Sequence, residues 1–64
     1  MNPIVKRLID YNIKQEQKAI EDYERLIREM LMTNCSKEKV QQVIHIRDEE
    51  KEHKEELEAL IKED

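Results

Sequence analysis

In the run Glu50-Lys51-Glu52-His53 a carboxylate and an imidazole stand three residues apart. On an α-helix that spacing puts both on one face, where they can reach one metal ion or a pair of them. Alone the motif says little in a chain with 16 acidic residues. His45 shows the contrast, since Gln42 stands three places before it. A third donor strengthens the pattern. Glu16 interrupts the apolar series Ile9, Ile13, Ile20, Tyr23, Ile27 and Met30 at a place where Ile or Leu is expected, and Glu50 and His53 interrupt Val43, Ile46, Leu57 and Leu60 in the same way. An unpaired charge inside an apolar seam is costly or titrates away, whereas a bound cation removes the cost.

The elements that must position these residues can be read from the chain's few breaks. Asn2 is a favoured N-cap, and Pro3 suits the first helical position because the N–H it lacks has no partner there. The spacing predicts helix 1 over about 3–33, a turn over about 34–36 and helix 2 over about 37–62. Asn34 can take the left-handed conformation that ends a helix, and Ser36 can cap the next one. Two long helices joined by so short a turn lie antiparallel. Counted from the turn, Glu16 lies about 18 residues back, and Glu50 and His53 about 16 and 18 forward. At ~1.5 Å per residue the three share one level to within about 5 Å.

A chain of 64 residues is close to the size at which one core stops being self-sufficient. A lone cysteine, Cys35, excludes an intrachain disulfide framework. Charged residues make up 44% of the sequence, yet the sustained apolar spacing argues for folded helices over disorder. Leu8, Ala19 and Leu26 widen the first stripe, and Val40, Ile44 and Ile61 the second, so each helix carries more apolar surface than one neighbour covers. The expected architecture is all-α over residues 1–64, an antiparallel two-helix hairpin that dimerises into a four-helix bundle, alone or in a larger even assembly. Two copies would bring together four carboxylates and two imidazoles.

The net charge is −4 and basic residues are dispersed among acidic ones, which argues against nucleic acid as a partner. Glu21, Glu24, Glu49, Glu52, Glu55, Glu56 and Glu58 alternate with Lys and Arg in the manner of a solvated face, His45 reads as a surface position, and Tyr11, beside the seam, as surface or interface. No long apolar run marks a membrane span or a signal peptide, so a cytoplasmic protein with a reduced Cys35 is expected.

The run Glu16-Gln-Lys-Ala-Ile-Glu-Asp-Tyr23, followed after the turn by Glu50-Lys-Glu-His53, resembles the first metal-binding helix pair of the rubrerythrin branch of the ferritin-like superfamily. As a short two-helix chain it is also similar to encapsulated ferritins, which assemble their site between subunits. The resemblance implies Glu16 and His53 as terminal ligands, Glu50 as a bridging carboxylate and Tyr23 as a hydrogen-bond donor to a ligand. Helical side chains lean toward the N-terminus, which would aim the Tyr23 hydroxyl back at Glu16.

From these readings the expected function is a di-iron carboxylate protein, with two Fe per dimer and ferroxidase or peroxide-consuming activity toward O₂ or H₂O₂. Two alternatives stand beside it. One is a non-catalytic helical dimerisation module in which Glu16, Glu50 and His53 form a register-fixing polar network. The other is a redox-silent bundle holding Zn²⁺ or Mn²⁺.

Overall fold

Asn2 opens the first helix as its sequence requires. Its Oδ1 accepts the backbone N–H groups of Ile4 at 2.7 Å and Val5 at 3.3 Å, and Pro3 follows at the first helical position. The computed structural model describes residues 1–62, with α1 over Pro3–Met32 and α2 over Lys37–Lys62. The last two positions of the domain expected over 1–64 lie outside the described residues.

Four residues make the reversal. Thr33 ends α1 one residue earlier than the spacing predicts: its N–H still reaches Glu29 O at 3.0 Å, and its hydroxyl donates to the same carbonyl at 2.8 Å. Asn34 then takes φ 59°, and the Cys35 N–H returns to Met30 O at 3.0 Å. That is the six-to-one bond of a Schellman ending, with asparagine in the left-handed position that glycine more often fills. Ser36 starts α2, its Oγ accepting the Lys39 N–H at 3.3 Å and its carbonyl the Val40 N–H at 3.1 Å.

The helices lie side by side in a rod of 48 × 15 × 11 Å. Ile20, Ile27 and Val40 are its buried hydrophobic residues, while Val5, Leu8, Leu26, Leu31, Ile46 and Leu60 are among ten large apolar residues left exposed. On α1 the line through Ile9, Ile13, Glu16, Ile20, Tyr23, Ile27 and Met30 is buried or half-buried throughout, as its spacing predicts. On α2 the packed line differs from the expected one. It runs through Val40, Val43, Arg47, Glu50, Lys54, Leu57 and Ile61, whereas Ile46, His53 and Leu60 are exposed. The series 46, 53, 60 is displaced by one residue, or about 100° around the helix, from the series 47, 54, 61 that faces α1.

Arg47 and Lys54 take seam positions because their aliphatic stems cover apolar surface while their charged ends reach polar groups on α1. Lys54 Nζ donates to Gln17 Oε1 at 2.6 Å, and the Arg47 guanidinium lies 3.6 Å from Glu24. Glu24, held by Arg47, is half-buried, and so is Glu58; both were expected on the solvated face. Among the described residues no helix is long and apolar enough to cross a membrane.

The positive φ at Asn34 gives a direct check on the reversal. Replacing Asn34 by Ala should cost about 1 kcal/mol, and replacing it by Gly should be neutral or slightly stabilising. Chemical denaturation at matched protein concentration measures both.

Candidate metal centre

Glu16 sits near the middle of α1, and Glu50 and His53 near the middle of α2, so the antiparallel reversal brings them level. One ligand atom from each of Glu16, Glu50 and His53 can be chosen so that all three lie within 4.8 Å of one another. Two oxygen donors and one nitrogen donor thus converge from residues separated by a whole hairpin. Their surroundings differ. The Glu50 side chain is 24% exposed and that of His53 51%, so the imidazole lies at the edge of the cluster, open to one face of the rod.

Glu16 is the most constrained of the three. Its Oε2 is covered by protein and has no hydrogen-bond partner. Its pKa is raised above the ordinary value of 4.5, first because a protonated Glu16 would share a hydrogen bond with Glu50, then because burial and the Glu50 charge disfavour ionisation; His53 acts in the opposite direction. The nearest approach between His53 Nδ1 and Glu50 Oε1 is 3.9 Å, longer than a hydrogen bond. The imidazole is therefore not tied to Glu50 by a hydrogen bond.

No family model, curated protein or solved structure matches this chain. The chemistry open to the site is set by its own donors. Carboxylate oxygen and imidazole nitrogen suit Fe, Mn and Zn, and a covered carboxylate oxygen with no N–H or O–H to accept from is satisfied by a cation. The residues fit a metal, although one hairpin provides only three of them.

Tyr23 is half-buried one heptad beyond Glu16, and among the described residues no hydrogen bond joins its hydroxyl to the three donors. His45 lies away from the cluster, paired with Glu49 at 3.1 Å. A surface hollow of about 480 Å³ near it, lined by Gln41, Gln42, His45 and Ile46, gathers no comparable set of donors. Sequence reading missed Gln17 and Lys54, which flank Glu16 and His53 in the chain and clamp the helices at the level of the site. The signal was present in the heptad count, because Lys54 lies seven residues after Arg47 and seven before Ile61.

The raised Glu16 pKa has a signed consequence for stability. Between its ordinary and raised values the folded state binds more protons than the unfolded chain. This group's contribution is therefore fully present below the ordinary value and is lost as pH rises through the raised one. Stability of metal-free wild type relative to Glu16→Gln, which cannot titrate, should increase on acidification from neutral pH toward 4.5. A difference that stays flat over that range would contradict the environment described for Glu16.

Proposed function

We propose that the chain is one half of a ferritin-like di-iron centre, completed by a second copy of itself, with ferroxidase or peroxide-consuming activity. The observation that carries this reading is the convergence of Glu16, Glu50 and His53 around a covered carboxylate oxygen that has no protein partner. Bundle-type di-iron sites use one Glu from each of two helices and a Glu-x-x-His from each of the other two, which is the set two such hairpins supply.

Iron bound there would supply the redox chemistry, with O₂ or H₂O₂ as the oxidising substrate. The protein's own residues do the rest. Glu16 and Glu50 contribute negative charge that favours Fe³⁺ over Fe²⁺, since hard oxygen donors prefer the harder ion. His53 would bind through a ring nitrogen of its neutral imidazole. Tyr23, by resemblance, would donate a hydrogen bond to a ligand carboxylate once the bundle is complete. No side chain is assigned as a nucleophile or general base.

A register-fixing network, the competing reading, would pair these groups with one another. The 3.9 Å separation of His53 and Glu50, too long for a hydrogen bond, weakens that reading. Protein purified without chelator should contain two irons per dimer, and Glu50→Ala and His53→Ala should each abolish tight iron binding while His45→Ala leaves it intact. Metal analysis and anaerobic Fe²⁺ titration test this. Equal iron stoichiometry in all three variants would overturn the ligand assignment, and Zn or Mn in place of iron would overturn the redox function.

A further inference from the structure

The two broad faces of the hairpin are unlike, and their difference indicates where a second copy sits. One face is closed by polar bridges. Gln17 and Lys54, and Glu24 and Arg47, span it from helix to helix, and a hollow between them is lined also by Lys51 and Glu55. The opposite face has no such bridge among the described residues. On α1 it carries Val5, Asn12, Ala19 and Leu26 at intervals of seven, and on α2 Ile46, His53 and Leu60 at the same interval. Val5, Leu26, Ile46 and Leu60 are 47%, 45%, 39% and 49% exposed. Midway along it opens a groove of about 360 Å³ lined by Asn12, Glu16, His53, Glu56, Leu57 and Leu60. The exposed imidazole and the covered Glu16 carboxylate thus meet on the face that lacks polar closure.

We infer that this open face, defined by Leu26, Ile46, His53 and Leu60, is the docking surface for a second copy of the chain, and that the bridged face points to solvent in the dimer. The inference rests on the reading of Glu16, Glu50 and His53 as half of a shared centre, and assigns its partner to one side of the hairpin. Three arguments select a second copy as the occupant. The site is incomplete on one hairpin, and a copy laid on this face brings the missing donors to the edge where His53 is open. The cluster lies near the midpoint of both helices, so two hairpins aligned at that level overlap along their full length. The face extends over the 48 Å of a rod 11–15 Å wide, which gives on the order of 600 Å² per partner, enough for a stable pair.

The bridged face has the opposite character. Docking a copy there would bury Lys51, Lys54, Glu24 and Glu55, and desolvating those charges offsets the gain from apolar contact.

The test uses single cysteines in a Cys35→Ser background, with chelator present so that metal plays no part. Ala19→Cys, on the open face at the level of the cluster, should form a disulfide-linked dimer as the main product of mild oxidation. Lys51→Cys, at the same level on the bridged face, should give only a minor fraction. As an independent arm, Leu26→Lys/Leu60→Lys should keep its helical circular dichroism and sediment as a monomer, since both residues are exposed in the hairpin. Cross-linking through Lys51→Cys in preference to Ala19→Cys, or a wild-type monomer at micromolar concentration, would overturn the inference. Loss of metal binding with the cross-linking pattern intact would strike the proposed function alone.

Discussion

The constraint on which the rest depends is the covered oxygen of Glu16. A carboxylate oxygen that neither water nor a protein donor reaches is unfavourable when ionised, and the Glu50 carboxylate nearby raises the cost further. In the metal-free hairpin these effects raise the Glu16 pKa above its ordinary value. A bound cation would relieve the cost, turning the same two repelling carboxylates into ligands. The arrangement is thus poor as a structural core and would suit a metal site, a trade familiar at functional centres.

The second constraint is size. A hairpin with three buried hydrophobic residues and a row of exposed Leu, Ile and Val has little apolar burial to offset the entropy of ordering 62 described residues. Its helix ends are well satisfied, with Asn2, Thr33, Asn34 and Ser36 each placed to hold a terminus. Local structure is therefore well specified while global burial is not. Such a chain folds most stably with its open face covered, so that assembly and completion of the metal centre would be a single event.

Much of this was legible in the amino-acid sequence because helical signals are local. Asn2-Pro3 and the Thr33 to Ser36 reversal follow from capping chemistry, and the packed line of α1 follows from apolar residues at threes and fours on either side of Glu16. The α2 line was harder to read, because Arg47 and Lys54 occupy seam positions that polarity alone assigns to the surface. Apolar Ile46 and Leu60 then mark a line one residue away. Which line faces α1 is decided by long-range partners, Gln17 and Glu24, which no local pattern reveals. The grouping of Glu16, Glu50 and His53 was accessible from register counting, whereas the orphaned oxygen of Glu16 is a property of packed side chains.

The central claim is that these three residues are kept for a metal and at a cost to the metal-free fold. Replacing Glu16 with Leu tests it most directly, because stability and binding should move in opposite directions. The account predicts a metal-free variant more stable than metal-free wild type by about 2 kcal/mol in chemical denaturation at matched protein concentration, with iron binding lost. A clear loss of metal-free stability in Glu16→Leu would mean that Glu16 holds the fold together through polar partners, and would contradict the account.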